Sequence, residues 1–173
     1  MKIQKCDASF FKPLCEFFEE VMQNLISNIN YPKWTYGVYP CKDSIKNDID
    51  SGWQYIALEG EKIVGAFILN ENPMGNYQKG SWSKNLNEGE YLVIHTLATS
   101  PKHFGKGIAS KMVRFALDYA KQAGYKGIRL DVVPTNTPAN TLYEKMGFTC
   151  IGEYDLDRGY EHIPTFLLFE YNF

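Results

Sequence analysis

The residues best suited to chemistry lie in residues 92–113, LVIHTLATSPKHFGKGIASKMV, where a predicted strand leads through a loop into a predicted helix. Gly105 and Gly107 let the backbone approach a ligand closely, and Lys106 adds a positive charge. The N-terminus of the following helix presents N–H groups without helical partners, which favour anions. The segment therefore predicts an anion-binding site. Its spacing matches neither the nucleotide P-loop nor the dinucleotide-binding fingerprint.

A second motif follows one strand later, in residues 134–148, PTNTPANTLYEKMGF. Together the two stretches resemble the GCN5-related N-acetyltransferase (GNAT) family. The hexapeptide FGKGIA is similar to the family's Q/R-x-x-G-x-G/A acyl-CoA loop, and the pattern N-x-x-A-x-x-L-Y-E-K-x-G-F, which begins at Asn136, is similar to its downstream motif. The resemblance covers about residues 90–150. Phe104 stands where the family usually has Gln or Arg, which weakens a side-chain contact to phosphate and leaves the backbone amides intact.

The resemblance implies that acetyl-CoA binds where two parallel strands, residues 91–98 and 127–133, splay apart. The backbone that would pair with the pantetheine arm belongs to Leu97, Ala98 and Thr99. The amides that would hold the pyrophosphate belong to Phe104, Gly105, Lys106, Gly107, Ile108, Ala109 and Ser110. Asn136 would hydrogen-bond the arm from the opposite wall. Its context, Thr-Asn-Thr-Pro, equally predicts a helix N-cap, and the two roles are compatible.

Acetyl transfer to an amine needs a polarised thioester carbonyl and an acid for the departing thiolate. A backbone N–H of Leu97 or Ala98 could polarise the carbonyl in the manner of an oxyanion hole. Tyr143 occupies the family's tyrosine position, and its phenol could protonate the thiolate. The structural alternative for Tyr143 is a core aromatic that packs under the sheet.

The amine must also lose a proton, because an alkylamine with a pKa near ~10.4 is mostly protonated at neutral pH. His95 is the first candidate base, since strand alternation places it on the same face as Leu97, and the segment H-T-L-A is similar to the arylalkylamine branch of the family. The alternatives are a hydrogen-bonded core histidine, a water relay, or Glu90. Alternation places Glu90 on the opposite face from His95, unless a bulge restores it.

An aromatic cluster predicts where the acceptor amine binds. Family members commonly build this wall from the first two helices and their connection, which here reads YPKWTYGVYP and contains Trp34, Tyr36 and Tyr39. Such rings could stack on an aromatic or cationic amine, or they could form a hydrophobic plug over the core. The long polar segment 71–89, which carries Tyr77 and Trp82, is either functional or mobile and could close over the same cleft.

The elements that must position these residues alternate between strand and helix periodicity, which predicts an α/β fold. We expect one GNAT-like domain over residues 1–173, with a mixed sheet of about six to seven strands flanked by about four helices and splayed parallel central strands. The first helix should end near Asn30, and a second should run from Asp43 to Ser51. The last strand is expected at about residues 162–171.

The amino-acid composition excludes some classes of binding partner. A net charge of −2 argues against a broad basic face, and hence against nucleic acid or an anionic membrane as a partner. The N-terminal stretch lacks the apolar core of a secretory signal and no apolar run approaches membrane-spanning length, so we expect a cytoplasmic protein. The four cysteines are widely spaced and none lies in either motif, which disfavours both a metal site and a covalent acyl-enzyme.

These observations predict an N-acetyltransferase that uses acetyl-CoA as co-substrate, without a metal, and acts on a primary amine of a small molecule or peptide by direct attack. The alternatives are transfer of another acyl group, or to a hydroxyl, and a non-catalytic domain that binds or senses acyl-CoA. A homodimer is a further possibility, because a strand edge near the C-terminus could be exposed and pair with a second copy.

Overall fold

The computed structural model describes residues 1–173, which form seven strands and four α-helices. In chain order these are β1 (Lys2–Lys5), α1 (Phe11–Ser27), α2 (Lys42–Asp50), β2 (Gln54–Glu59), β3 (Lys62–Asn70), β4 (Tyr91–Thr99), α3 (Ile108–Gln122), β5 (Gly127–Val132), α4 (Thr137–Lys145), β6 (Thr149–Tyr154) and β7 (Phe166–Asn172). No helix combines the length and the apolar composition needed to cross a membrane.

The strands are hydrogen-bonded in the order β1-β2-β3-β4-β5-β7-β6. β4 and β5 run parallel, whereas β2 is antiparallel to both β1 and β3, and β7 is antiparallel to both β5 and β6. Parallel neighbours need a long crossover connection, which α3 supplies. The predicted mixed α/β sheet with four helices is confirmed.

One compact unit, called unit 1 below, comprises Met1–Asn30, Trp34–Leu69 and His95–Phe115. Its core is a cluster of buried apolar side chains that includes Leu14, Phe17, Phe18, Val21, Ile45, Ile49, Ile56 and Ala98. Asp7 begins the helical part of this unit, because its carboxylate accepts a hydrogen bond from the N–H of Ser9 at 2.8 Å. The cap starts the 3-10 turn Ala8–Phe10, which leads directly into α1.

The second compact unit, unit 2, comprises Tyr31–Lys33, Asn70–Ile94 and Ala116–Phe173. Its apolar cluster is formed by Tyr77, Tyr91, Val93, Leu156, Phe166 and Leu168, with Trp82 and Leu86 packed against it. Three residues of the segment 71–89, Tyr77, Trp82 and Leu86, therefore lie in the cluster or pack against it.

Buried polar groups fasten the same segment to the sheet. The guanidinium of Arg129 lies 4.0 Å from the ring of Trp82, and a carboxylate oxygen of Glu170 accepts a hydrogen bond from the N–H of Ser83 at 3.0 Å. Arg129 and Glu170 face each other in the register of β5 and β7. These contacts pack the segment against the sheet of unit 2.

The ends of elements differ from the predicted ones by a few residues. α1 ends at Ser27 rather than near Asn30. Ile26 and Ile29 are exposed, so a further helical turn would not be stabilised by packing. β7 begins at Phe166 rather than near residue 162, because Pro164 has no N–H to donate to the sheet.

Candidate active site

The pairing of β4 with β5 and its regular strand conformation do not continue along its whole length. Its parallel register with β5 runs from Tyr91 opposite Gly127 to Val93 opposite Arg129, and the strand then continues to Thr99. Thr96 has a φ of 50°, in the left-handed region that a β-branched residue rarely adopts. Regular alternation is therefore interrupted at Thr96, and the prediction that His95 and Leu97 share a face because of alternation loses its basis.

The loop that follows β4 has the form expected of an anion site. Ser100 donates its N–H to the carbonyl of Val64 at 2.9 Å, and the chain then passes through a short turn into an exposed stretch, residues 104–107. Gly105 and Gly107 have φ values of 77° and 72°. A Cβ at either position would meet nothing within 4 Å, so these sites need glycine for backbone conformation rather than for space.

The first turn of α3 completes the predicted site. Its helical hydrogen bonding begins where Lys111 donates its N–H to the carbonyl of Gly107 at 3.1 Å. The N–H groups of Ile108, Ala109 and Ser110 precede that bond and so have no acceptor within the helix. Lys106 is exposed beside them. These groups can bind a doubly charged phosphate through the backbone, with a lysine nearby.

Phe104 is 60% exposed at the start of this loop. Its side chain brings no donor to a phosphate, and its N–H donates to the carbonyl of Pro101 at 3.4 Å. An exposed phenyl ring also gives the loop an apolar surface where the family pattern has a polar side chain.

The two candidate bases differ in their surroundings. His95 is buried, with 9% of its surface exposed. Glu90 is hydrogen-bonded to the ammonium of Lys126 and accepts the N–H of Asn87 at 2.8 Å. The bond with Lys126, followed by that with Asn87, lowers the pKa of the Glu90 carboxyl. A carboxylate held in this way is a weaker base, which disfavours Glu90.

Asn136 is the N-cap of α4, as its sequence context predicted. Its Oδ1 accepts the N–H of Ala139 at 3.3 Å. The cap uses the amide oxygen, so the side-chain NH₂ is the group that can donate to a ligand. Both roles considered for Asn136 are therefore chemically compatible.

Tyr143 lies on α4 with 6% of its surface exposed, and its ring packs against Phe148 and Phe169 at centroid distances of 5.5 and 6.1 Å. It is thus a core aromatic as well as a candidate acid. Burial, followed by the negative charge of Asp131, raises the pKa of its phenol. The phenol consequently keeps its proton throughout the physiological pH range.

The charged group near Tyr143 belongs to a cluster that the motifs did not indicate. Asp131 on β5 receives two hydrogen bonds from the guanidinium of Arg158, at 2.8 and 2.7 Å, and one from the hydroxyl of Tyr77 at 2.6 Å. The side chains of Arg158 and Asp131 are only 12% and 9% exposed. An aspartate inside the apolar run GIRLDVV was the available signal, since a buried charge requires a partner.

The predicted acceptor residues form an ordered turn in unit 1. Trp34 packs edge-on against Phe18 and Tyr39, both at 6.3 Å, and so belongs partly to the core. Tyr36 is exposed and donates its hydroxyl to Glu19 at 3.0 Å. The hydroxyl of Tyr39 is hydrogen-bonded to Oγ1 of Thr96. Core packing and an exposed aromatic surface are combined here, rather than being alternatives.

The predicted site residues fall into both units. Unit 1 holds the acceptor turn, His95, the end of β4 and the loop that leads into α3. Unit 2 holds Asn136 and Tyr143, together with the Asp131 cluster.

Comparison with known proteins identifies a family to which this chain is similar. The profile of the Acetyltransferase (GNAT) family matches residues 21–148, which is well over half of the chain. Streptothricin acetyltransferase of Escherichia coli is 32% identical over 137 residues, which are 79% of this chain and 71% of that protein. N-acetyltransferase 8B of Rattus norvegicus is 34% identical over 114 residues, which are 64% of this chain and 45% of that protein, so the chain spans less than half of its length.

Solved structures agree with the fold. An acetyltransferase of the GNAT family from Streptococcus agalactiae has a TM-score of 0.80 at 18% identity, with 99% of this chain and 95% of that chain covered. A second, from Listeria monocytogenes, has a TM-score of 0.76 at 16% identity, with 99% and 94% covered. At such identities the likeness supports the fold alone.

Proposed function

The chain belongs to the acetyltransferase (GNAT) family, and from that premise we propose that it transfers an acetyl group from acetyl-CoA to a primary amine of a small molecule or peptide. The observation that carries the proposal is the exposed loop after β4, in which left-handed Gly105 and Gly107 lead into the N-terminus of α3. This arrangement suits the pyrophosphate of a CoA thioester.

Acetyl-CoA would supply the thioester carbonyl that the amine attacks and the thiolate that leaves. The backbone amides assigned to its pyrophosphate are those of Phe104, Gly105, Lys106, Gly107, Ile108, Ala109 and Ser110. The end of β4, formed by Leu97, Ala98 and Thr99, would pair with the pantetheine arm, and the NH₂ of Asn136 would donate to it. An N–H of Leu97 or Ala98 would stabilise the negative charge that develops on the carbonyl oxygen.

Tyr143 is proposed as the acid. A tyrosine phenol is neutral at physiological pH, so Tyr143 has a proton to give to the departing thiolate. The raised pKa of Tyr143 opposes the acid role, because an ordinary thiol is a stronger acid than this phenol, and Tyr143→Phe is the variant that tests it.

His95 is proposed as the base, directly or through a water molecule, because the competing carboxylate of Glu90 is held by Lys126. In this role His95 produces the acidic limb of the pH–rate profile. We expect His95→Ala to lose that limb. If His95→Ala keeps the acidic limb, another group removes the proton from the amine.

The exposed aromatic turn is proposed as the acceptor wall, with Trp34, Tyr36 and Tyr39 as its residues. An amine acceptor is cationic before it is deprotonated, and aromatic faces attract cations. Trp34→Ala should raise KM for the amine and leave KM for acetyl-CoA nearly unchanged. Because Trp34 also packs against Phe18, a folded fraction must be measured for the variant.

The experiment that tests the function is release of free thiol from acetyl-CoA across a panel of amines. The panel should include streptothricin, which appears in the name of one relative, together with arylalkylamines, polyamines and lysine peptides. We expect amine-dependent release without an acetylated enzyme. Tight CoA binding with no thiol release for any amine would leave only a binding or sensing domain.

A further inference from the structure

The hydrogen bond between Tyr39 and Thr96 joins the aromatic turn to the strand assigned to the thioester. Thr96 immediately precedes Leu97 and Ala98, whose amides are the candidates for polarising the carbonyl. The left-handed conformation of Thr96 determines the direction in which the chain, and therefore those amides, continues. A non-glycine residue in this region is strained and persists only where its surroundings hold it.

The tyrosine end of the bond is itself held firmly. The carbonyl of Thr35 accepts the N–H groups of both Val38 and Tyr39, each at 3.0 Å. The side chain of Asn30 donates to the carbonyl of Trp34 at 2.7 Å and accepts its N–H at 3.1 Å. The phenol of Tyr39 is thus presented to β4 by a preformed turn.

The other end of the same stretch of β4 is also anchored. Ser100 donates its N–H to the carbonyl of Val64 at 2.9 Å, and its hydroxyl to Glu20 at 3.2 Å. The stretch from Leu97 to Thr99 belongs to a strand that is hydrogen-bonded to β3, and side chains also hold it at both ends, at Ser100 and at Thr96. Only the second depends on a side chain of the acceptor turn.

We propose that Tyr39 is a positioning residue for acyl transfer, whose hydroxyl holds Thr96 in the left-handed conformation and so fixes the amides of Leu97 and Ala98. The inference rests on the proposed function, because it assigns those amides to the thioester carbonyl. It replaces a purely acceptor-binding role for the Tyr39 hydroxyl, while its ring still contributes to the turn.

The kinetic test compares Tyr39→Phe, Thr96→Val and the double variant. One neutral hydrogen bond corresponds to about a three- to tenfold change, so each single variant should lose about that factor in kcat. The double variant should lose no more than either single one, since both changes remove the same bond. KM for acetyl-CoA should change less than kcat, because the polarising contact strengthens in the transition state.

Two further substitutions separate conformation from packing. Thr96→Ser keeps the hydroxyl and should remain within about twofold of wild type. Thr96→Gly loses the hydroxyl but adopts a positive φ without strain, so it should retain more activity than Thr96→Val. The matched control is Tyr125→Phe, which removes a tyrosine hydroxyl bound to Glu71, has no proposed role in binding or catalysis, and should leave kcat unchanged. Calorimetric stoichiometry of CoA binding gives the active fraction of each protein.

A readout independent of catalysis is hydrogen exchange of the amides at residues 97–99. We expect about three- to tenfold faster exchange in Tyr39→Phe and Thr96→Val, and no change in Tyr125→Phe. Unchanged exchange in both β4-contact variants, or additive losses of kcat in the double variant, would overturn the proposal. If the wild-type protein releases no thiol with any amine, the proposed function fails by itself, while the exchange rates still decide whether Tyr39 holds this stretch of β4.

Discussion

Replacing Arg158 by methionine removes the cation that neutralises Asp131 inside unit 2. The guanidinium makes two hydrogen bonds to this carboxylate, and both side chains are almost completely buried. Loss of one partner from a buried ion pair costs about 3–5 kcal/mol, because the remaining charge is left without compensation. Tyr77 still donates to Asp131, which places the expected cost near the lower end, about 3 kcal/mol.

For a chain of this length, that cost corresponds to a fall in Tm of about 6–12 °C, measured by thermal denaturation near neutral pH. The double variant Asp131→Asn/Arg158→Met carries no unpaired charge and should be more stable than Arg158→Met alone. The control is Lys79→Met, which removes an exposed ion pair with Asp157 and should have little effect.

Two results would refute this reasoning. A fall in Tm for Arg158→Met no larger than that for Lys79→Met would mean that the buried pair adds nothing beyond a surface pair. A double variant less stable than the single one would mean that the aspartate stabilises unit 2 without its cation.

Three other substitutions have definite expected results. Tyr143→Phe should lower kcat more than it lowers the affinity for acetyl-CoA, and an unchanged kcat would remove the acid role. Gly107→Ala should raise KM for acetyl-CoA at a stability cost of about 1–2 kcal/mol, whereas Gly124→Ala, with a φ of 85° and equally open space, should show the stability cost alone. Burial raises the pKa of Asp48 to about 6. The wild-type protein therefore loses stability as pH rises from about 4 to about 6, where the folded state must release this proton. We expect Asp48→Asn to raise Tm by about 2–5 °C at neutral pH and by almost nothing near pH 4.

The sequence was sufficient for features that depend on local periodicity and motif spacing. The inner stripe of α1, including Leu14, Phe18 and Val21, was predictable because helical spacing sets the buried face. The order of β4, loop and α3 followed from one continuous stretch, as did the cap of α4 by Asn136. These elements carry most of the predicted CoA contacts.

Other features depend on residues that are distant in the chain. Nothing in the local sequence around Thr96 indicates a left-handed residue. The residue that binds its hydroxyl, Tyr39, lies far away in the chain, in the turn before α2. The partner of Asp131 could not be identified, because Arg158 reaches it from the connection between β6 and β7. The sequence shows only the length of the segment 71–89, whereas its contacts with the sheet are made by Arg129 and Glu170, which lie on β5 and β7.

The most direct test of the central claim is the amount of N-acetylated product formed per CoA thiol released, with the best amine of the panel. Mass spectrometry of the acceptor and thiol titration of the same reaction give both quantities. We predict equal amounts, with the acetyl group on the amine nitrogen. Thiol release without an N-acetylated acceptor, or CoA binding without thiol release, would contradict the assignment of this chain as an acetyl-CoA-dependent N-acetyltransferase.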